Sequence, residues 1–464
     1  MKTANAKSAN SNVQNPITEG NILKALLYFF FPILFGTFFQ QLYTTVDAII
    51  VGRFVGTQAL ASVGGGSAVF VNLLVGFFMG ISSGAGVSIS QFYGARNRRE
   101  ISAAVHTSIA LSIAGGIVIM ICGIVFSRPM LVLTKTPAEI IDNSVLYLRI
   151  YFLGIIPMFL QNMGSGILRA VGNSKTPLII LIVGCVSNIL LDLLLVIVFR
   201  LGVAGVALAT VLCQIETAII ALVILAGTKG DYRFEPKLTR FTPHILAKIL
   251  KIGLPAGLQG TLYTISNLII QTNINTFGTV SVAAWAAYGK IDGVFWMTVS
   301  ALGIAVTTFA GQNFGAQKYS RVKKGMLITL ELTAALTVII SLFFWNCSEM
   351  LVGLFSDDRA VIEKGIEILE FLVPFYMTYI SIEVLSGATR GIGKSFCPLL
   401  ITVFGVCALR LIWLFTVVKM KPQMETVLTS YPITWIVTSA AFWIYWLICC
   451  RKMNKMESLA EKEA

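Results

Sequence analysis

Long apolar segments, separated by short polar loops, run through almost the whole of this chain. Each segment holds about 20 to 30 residues, and a helix needs about 20 residues to cross the hydrocarbon core of a bilayer. The pattern therefore predicts twelve membrane-spanning helices and no soluble globular domain. The predicted spans lie near residues 23–51, 59–83, 101–126, 146–166, 177–199, 201–226, 247–273, 281–310, 325–346, 366–388, 397–418 and 430–450.

The overall composition favours the same class of protein. Of the 464 residues, 56% are hydrophobic and 12% are charged, and that charged fraction is about half of what an ordinary soluble chain carries. The mean hydropathy is +0.82. The first fifteen residues are polar and contain no apolar core, so we expect a cytoplasmic tail there rather than a signal peptide.

The net charge of +13 would suit a nucleic-acid-binding surface if the protein were soluble. Here the basic residues cluster in short loops, for example at 96–99 and 318–324, and after the last span at 451–455. Basic residues gather in the cytoplasmic loops of membrane proteins. The charge therefore indicates topology, with both termini on the cytoplasmic side of the cell membrane, and we expect no nucleic-acid partner.

The two halves of the chain repeat one another. Residues 165–178 match residues 386–399 at an offset of 221, and residues 91–96 match 312–317 at the same offset. Each half contains an even number of spans, so both halves enter the membrane from the same side and form parallel repeats. We expect an all-α integral membrane fold of two six-helix lobes. Its predicted parts are a disordered cytoplasmic tail (1–20), a first lobe (21–227), a cytoplasmic linker (228–248), a second lobe (249–450) and a cytoplasmic tail (451–464).

Polar side chains inside apolar spans are costly and are often functional. At a rise of about 1.5 Å per residue, Asp47, Asp192 and Thr210 lie at similar depths, roughly 9 to 13 Å below the predicted outer boundary. Asn188 shares a helix face with Asp192. Carboxylate, amide and hydroxyl oxygens suit a proton or a hard cation such as Na⁺. The alternative is that these groups only form hydrogen bonds between neighbouring helices.

Two further features of the first span bear on this cluster. Tyr43 precedes Asp47 by one helical turn and lies on the same face of the helix. An aromatic ring beside a carboxylate would attract a lipophilic cation through charge and through cation–π interaction. Pro32 removes a backbone hydrogen bond within the span, so it marks a place where the helix can bend.

The second half carries different polar groups. Asp47 aligns with Asn267, Asn188 with Leu409 and Asp192 with Trp413, so the carboxylate site is expected in the first half alone. Asp292, Glu383 and Arg410 lie within predicted spans of the second half. Asp292 or Glu383 could neutralise Arg410 in a cross-helix pair, or these charges could have a role in substrate or ion binding.

Signatures of catalysis are absent from the sequence. The segment 387–395 resembles a phosphate-binding loop, but Ala388 stands where the motif requires glycine. The chain has two His residues, no HExxH motif and no nucleophile turn. Its eight Cys residues fall mostly within apolar runs, at spacings that do not suit a metal. We therefore expect a protein that is not an enzyme and that needs no cofactor other than a coupling ion.

These residues resemble those of a known family of membrane proteins. The likeness covers about residues 20–450 and includes the chain length, the twelve spans and the duplication. The chain is similar to prokaryotic members of the multidrug and toxic compound extrusion (MATE) family, and its first lobe is similar to the DinF-like branch. The matching positions are Pro32, Tyr43 and Asp47 in the first span, Asn188 and Asp192 in the fifth, Thr210 in the sixth, and the paired loops 91–95 and 312–316.

The resemblance implies two lobes around a V-shaped cavity, and export of cationic amphiphilic compounds in exchange for H⁺ or Na⁺. It implies that the coupling ion binds at Asp47, Asn188, Asp192 and Thr210, as a metal site if the ion is Na⁺, and that Pro32 is a hinge. The residues expected to line the substrate cavity are Tyr43, Tyr147, Asn162, Asp292, Glu383 and Arg410. The protein is expected to act as a monomer among membrane lipids.

Two other functions stay open on the sequence. A flippase for a lipid-linked or anionic amphiphile would line its cavity with basic residues, and Lys290 and Arg410 are consistent with that function. A channel or receptor built on the same bundle would conduct or bind without saturable counter-transport. The acidic residues of the first lobe favour the antiporter.

Overall fold

The structure, a computed structural model, describes residues 16–134 and 136–463. All regular elements in this part of the chain are helices, which confirms the predicted all-α fold class. The long helices are α1 Ile22–Val55, α2 Thr57–Gly94, α3 Arg98–Leu133, α4 Ala138–Leu153 with Ile155–Ala170, α5 Lys175–Val198, α6 Gly202–Gly227, α7 Pro243–Ile274, α8 Thr279–Gly315, α9 Tyr319–Asn346, α10 Arg359–Gly391, α11 Phe396–Met420 and α12 Met424–Leu459.

Ten of these helices are long and apolar enough to cross a membrane. The two parts of α4 meet at an angle of 49° and make an eleventh span if they are taken together. The remaining helix, α7, has 32 residues and is therefore about 48 Å long, which is enough to cross a bilayer. Its polar residues, among them Gln259, Asn267 and Gln271, reduce its hydropathy. Of the twelve predicted spans, α7 is thus the one supported by length alone.

Each half of the chain has an apolar core of its own. In the first half, the rings of Phe78 and Phe159 stack with centroids 3.4 Å apart, beside the buried Phe152. In the second half, Phe295 stacks on Tyr376 with centroids 4.0 Å apart. Aromatic side chains bury a large apolar area, so these layers hold the helices of each half together.

Helices α2 and α7 cross at the boundary between the two halves. Gly80 and Gly84 of α2 lie against the backbone of Gly253 and Gly257 of α7, and a Cβ at any of the four would clash with the facing helix. Small residues allow membrane helices to approach this closely. A second contact joins α1 to α8 through an apolar cluster that includes Phe309. The two lobes therefore meet along α1, α2, α7 and α8.

The predicted disordered tail ends earlier than expected. Residues 1–15 of the predicted tail lie outside the described residues, whereas Pro16–Glu19 form one helical turn. Ile17 is only 2% exposed, and Arg321 donates hydrogen bonds to the carbonyls of Ile17 and Gly20. The prediction of disorder is therefore wrong for residues 16–20. These contacts use the backbone, so hydropathy gave no sign of them.

The predicted linker and C-terminal tail also differ from the structure. Helix α7 begins at Pro243, a residue favoured in the first turn of a helix, so residues 243–248 of the predicted linker are helical. The regular helix within α12, Ser430–Glu463, extends beyond the span and takes in most of the predicted tail. There Lys323 of α9 pairs with Glu457 at 3.1 Å.

Candidate functional site

The first lobe encloses a cavity of about 390 Å³ between α1, α2, α4, α5 and α6. Five residues predicted from the sequence line it together, although they come from three different helices. They are Tyr43, Asp47, Tyr147, Asn162 and Thr210. The first-lobe part of the predicted site is thus a physical cavity rather than a set of separate polar positions.

The other two members of the predicted ion site lie behind the wall of this cavity. Asp192 is 0% exposed and Asn188 is 1% exposed. The carboxyl group of Asp192 lies near the carboxyl group of Asp47, without a hydrogen bond between them. Asp47 therefore connects the open cavity with the fully buried acid.

This pair of acids lacks donors from the protein. Within the described residues, Oδ1 of Asp47, both carboxylate oxygens of Asp192 and both polar atoms of Asn188 are buried without a hydrogen-bond partner. A buried charge without compensation costs several kcal/mol. A proton or a cation bound between the carboxyl groups would supply the missing interaction.

The available ligands are all oxygen atoms or an amide. Thr210 donates its own proton to the carbonyl of Val206 at 3.1 Å, which leaves its hydroxyl oxygen able to accept or to coordinate. Nowhere in the described chain do three or more His, Cys, Asp or Glu side chains form a metal cluster. The donor set therefore fits a proton or a hard monovalent cation better than a transition metal.

The backbone is irregular next to both acids. A π-helical turn, Leu193–Val198, starts directly after Asp192 in α5, and another, Val51–Val55, follows Asp47 by one turn in α1. π-helical turns inside longer helices are rare and occur often at functional sites.

Aromatic side chains form one wall of the first-lobe cavity. Tyr43, Tyr147 and Tyr151 all line it, and the rings of Tyr147 and Tyr151 lie with centroids 6.0 Å apart. Ring faces carry negative potential and attract organic cations, most strongly in a poorly solvated site. A cation in this cavity would meet both the rings and the Asp47 carboxylate.

A second cavity, of about 360 Å³, lies between the two lobes. Asn162 lines both this cavity and the first-lobe cavity, while Glu383 and Arg390 line it and a third cavity in the second lobe. Arg169 and Arg390, which were not among the predicted site residues, both line the space between the lobes. Their occurrence at equivalent positions of the repeat, 221 residues apart, was the available signal.

The third cavity has a volume of about 540 Å³ and is lined by α7, α8, α10, α11 and α12. The predicted residues Asp292, Glu383 and Arg410 all line it. Asp292 accepts hydrogen bonds from the Tyr376 hydroxyl and the Trp296 indole N–H, each at 2.6 Å. The second-lobe part of the predicted cavity is thus separate from the first-lobe part.

The structure does not contain the cross-helix ion pair considered for Arg410. In the described part of the chain, neither Asp292 nor Glu383 forms an ion pair with it, and the Arg410 Nη1 donates to the Asn267 side chain at 3.1 Å. Lys290 is exposed and does not line the cavity. The pairing prediction is wrong because aromatic donors hold the Asp292 carboxylate and Arg410 faces α7.

The predicted hinge residue lies inside a continuous helix. Helix α1 runs through Pro32 without interruption, although proline cannot donate to the carbonyl four residues earlier. That carbonyl, of Tyr28, accepts a hydrogen bond from the Ser174 hydroxyl at 3.3 Å. The Tyr28 carbonyl thus has a donor from the residue that directly precedes α5, and the hinge stays a prediction.

Two helical lobes that enclose polar cavities and meet along α1, α2, α7 and α8 define a class of membrane transporter. The MatE family model matches residues 32–194 and again residues 255–416, one match in each half. The chain belongs to the MatE family, whose members are membrane transporters, and this confirms the resemblance found in the sequence.

Named relatives are similar over most of their length. The probable multidrug resistance protein YoeA of Bacillus subtilis (strain 168) is 28% identical over 94% of this chain and 96% of its own length. The probable multidrug resistance protein YpnP of the same organism is 30% identical over 85% and 88%. The multidrug export protein MepA of Staphylococcus aureus (strain N315) is 23% identical over 75% and 77%.

Solved structures share the fold. A crystal structure of a MATE protein described as being in the bent conformation has a TM-score of 0.89 at 21% identity, over 95% of this chain and 98% of that chain. A transporter of the MOP superfamily from Pyrococcus furiosus, described by a reverse polarity of its binding pocket, has a TM-score of 0.88 at 20% identity, over the same shares. The two-lobe arrangement is therefore that of known transporters.

Proposed function

We propose that this protein is a secondary active multidrug efflux antiporter that exports cationic amphiphilic compounds in exchange for H⁺ or Na⁺. The observation that carries the proposal is the carboxyl pair of the half-buried Asp47 and the buried Asp192, whose buried oxygens have no donor from the described protein and which adjoins an aromatic cavity. Such a pair binds a positive charge, and the cavity in front of it has room for an organic one.

The names of the relatives support the export of drugs. Three relatives that align over 75% to 94% of this chain are named as multidrug resistance or multidrug export proteins. Cationic compounds are the class that best suits the first-lobe cavity, since it is lined by the Asp47 carboxylate and its walls are aromatic.

Exchange follows from competition for the same negative charge. The carboxyl pair can be neutralised by the coupling ion or by the organic cation in the adjoining cavity, and a site neutralised by one binds the other less tightly. Asp47 is the residue that both would contact, because it lines the cavity and also lies near Asp192. Arrival of the coupling ion would thus release the compound.

Alternating access requires that the cavities open to one side at a time. Glutamine side chains of α2 and α8 donate hydrogen bonds across the lobe boundary at the end that carries the basic loops near 96–99 and 318–324. Basic loops are typical of the cytoplasmic side of a membrane protein. We therefore propose that the conformation in this structure is closed to the cytoplasm. A membrane potential of 100 mV supplies about 2.3 kcal/mol per charge moved, which is enough to drive useful export.

We also propose that the protein acts in the cell membrane as a monomer in contact with lipid, with both termini cytoplasmic. Its many exposed large hydrophobic residues suit a lipid environment.

The test is transport in liposomes. The purified protein is reconstituted, a pH gradient and a Na⁺ gradient are imposed separately, and ethidium movement is followed for wild type, Asp47→Asn and Asp192→Asn. Asp142→Asn serves as the matched control, because Asp142 is a surface carboxylate that pairs with Arg128.

We expect one of the two gradients to drive ethidium exchange in wild type and in Asp142→Asn. Asp47→Asn and Asp192→Asn should lose this exchange while remaining folded. The effective gradient would identify the coupling ion. Folded wild-type protein that moves no ethidium under either gradient would reject cation antiport and leave the flippase as the next function to test.

A further inference from the structure

An equivalent pair of helices in each lobe carries polar groups of opposite charge. In the first lobe, Asp47 of α1 meets Asp192 of α5. The repeat places α7 and α11 in the corresponding positions, and there Asn267 stands where Asp47 stands in the first half. Asn267 accepts a hydrogen bond from Arg410 of α11 at 3.1 Å. The second lobe thus presents a cation where the first presents carboxylates.

Arg410 is a buried charge without a counter-ion. Its side chain is 1% exposed, and its guanidinium lies 4.4 Å from the centroid of the Tyr431 ring. The amide of Asn267 and this ring hold it in place, but its Nε–H has no acceptor among the described residues. Burying a cation is expensive unless an anion is paired with it, so the geometry calls for an anionic group from outside the chain.

The other charged groups that line the same cavity do not meet this need. Asp292 already accepts from Tyr376 and Trp296. Glu383 accepts from the Tyr379 hydroxyl at 3.4 Å and makes no ion pair with an arginine within the described ranges. Arg390 adds a second guanidinium whose Nε–H is buried and unpartnered. The unpartnered groups of the two arginines are N–H donors, whereas those of the first-lobe acid pair are oxygen acceptors.

The walls of the cavity are aromatic. Trp285 stacks on Tyr288 with centroids 5.1 Å apart and lies 6.0 Å from the ring of Tyr431. Trp296 and Trp435 also line the space. A volume of about 540 Å³ lies within the range of small-molecule sites, which is about 300 to 1,000 Å³. The cavity therefore suits a flat ring with an acidic group.

We propose that the second-lobe cavity is a binding site for aromatic carboxylates, with the carboxylate held by Arg410 and the ring packed among the tryptophans. A guanidinium offers planar, parallel N–H groups that match a carboxylate at two points. The site does not use Asp47 or Asp192. It therefore extends the range of ligands beyond the cations of the proposed antiport.

The test compares three probes of similar shape on the purified full-length protein in detergent. The probes are 2-naphthoate, the neutral 2-naphthamide and the cation 2-naphthylmethylammonium, and binding is followed by quenching of tryptophan fluorescence. We expect 2-naphthoate to bind wild type at least tenfold more tightly than either other probe. Equal affinities for naphthoate and naphthamide would overturn the proposal without any variant being made.

Variants then test which residues hold the carboxylate. Arg410→Gln is expected to weaken 2-naphthoate binding about tenfold or more and to change 2-naphthamide binding less than twofold. Arg410→Lys keeps the charge but loses the planar donors, so an intermediate affinity is expected. Arg53→Gln is the matched control, because Arg53 is exposed at the end of α1 and distant in sequence from the cavity residues.

Unchanged naphthoate binding in folded Arg410→Gln protein would refute the role of Arg410. Circular dichroism and size-exclusion chromatography establish folding, and if Arg410→Gln does not fold, Arg410→Lys and the wild-type probe comparison decide the matter. These measurements report binding in the second lobe and not ethidium exchange. Their failure is therefore distinguishable from a failure of the proposed antiport.

Discussion

Gln91 and Gln312 occupy equivalent positions of the two halves, and each closes the lobe boundary by bonding to the backbone of the other lobe. The Gln91 side-chain amide donates to the carbonyl of Gly391 at 2.8 Å, and the Gln312 amide donates to the carbonyl of Ala170 at 2.7 Å. The accepting residues are also equivalent, since they lie 221 positions apart. One symmetric pair of hydrogen bonds thus joins the lobes at a single end.

Replacing both glutamines should loosen that end. A buried hydrogen bond of this kind contributes about 0.5 to 1.5 kcal/mol, so the double variant Gln91→Ala, Gln312→Ala should speed local opening roughly tenfold or more. Hydrogen–deuterium exchange of residues 92–97 and 313–318 measures this opening. Gln58→Ala, at an exposed position of α2, should leave exchange unchanged. Equal exchange in the double variant and wild type would show that these bonds do not hold the closed end.

The N-terminal clasp, residues 16–20, is a second contact at this end. Arg321 donates to the Ile17 carbonyl at 3.0 Å and to the Gly20 carbonyl at 2.9 Å, and Lys318 donates to the Thr18 carbonyl at 3.0 Å. On the opposite side, Glu19 pairs with Arg96 of the first lobe at 3.0 Å. The segment therefore bridges loops of both lobes.

Arg321→Gln should release the clasp, because it removes the guanidinium that holds two of its carbonyls. Hydrogen bonds from charged groups contribute about 1.5 to 3 kcal/mol when buried and less at this partly exposed site. We expect faster hydrogen–deuterium exchange across residues 17–24 with little change in the lobe cores. The control is Lys324→Gln, an exposed charge on the same helix. A clasp that exchanges equally in both variants would contradict this account.

Much of this architecture could be predicted because its causes are local in sequence. Apolar run lengths indicate spans, the 221-residue offset indicates two lobes, and helical rise places Asp47 and Asp192 at similar depth. The structure indeed brings these two carboxyl groups together. Depth in the membrane was sufficient to predict that these two residues lie close together, since both face the interior of the same six-helix lobe.

Contacts that depend on helix rotation could not be predicted in this way. Arg410 shares the second-lobe cavity with Asp292 and Glu383, yet it turns towards Asn267, and no spacing rule reveals which way its helix is rotated. The clasp escaped detection for a different reason. Its carbonyls, rather than its side chains, bind Arg321 and Lys318, and a backbone acceptor has no signature in the sequence.

The bond between Ser174 and the Tyr28 carbonyl supports α1 at Pro32. Ser174→Ala would leave that carbonyl without its donor, at a cost of about 1 kcal/mol, and should lower the melting temperature in detergent and alter the ethidium exchange rate. Ser395→Ala is the matched control, because Ser395 is the equivalent buried serine of the second half and its hydroxyl has no partner in the described chain. Equal effects of the two substitutions would mean that the bond to Tyr28 does not matter.

The glycine contact between α2 and α7 should be intolerant of even one added carbon. A Cβ at Gly84 would lie 2.5 Å from the backbone nitrogen of Gly253 and 2.6 Å from the carbonyl oxygen of Ile249, and backbone atoms cannot move aside as a side chain can. Gly84→Ala should therefore destabilise the protein by about 1 to 3 kcal/mol.

Gly293→Ala is the control for that substitution. Gly293 is also a helical glycine, in α8, but no atom lies within 4 Å of its added Cβ. Alanine there should be neutral or should stabilise the helix by about 0.5 to 1 kcal/mol, because it reduces the conformational entropy of the unfolded chain. Melting temperatures in the same detergent should thus move in opposite directions. A Gly84→Ala protein as stable as Gly293→Ala would show that the helices can separate without cost, and the close contact would then not set the distance between the lobes.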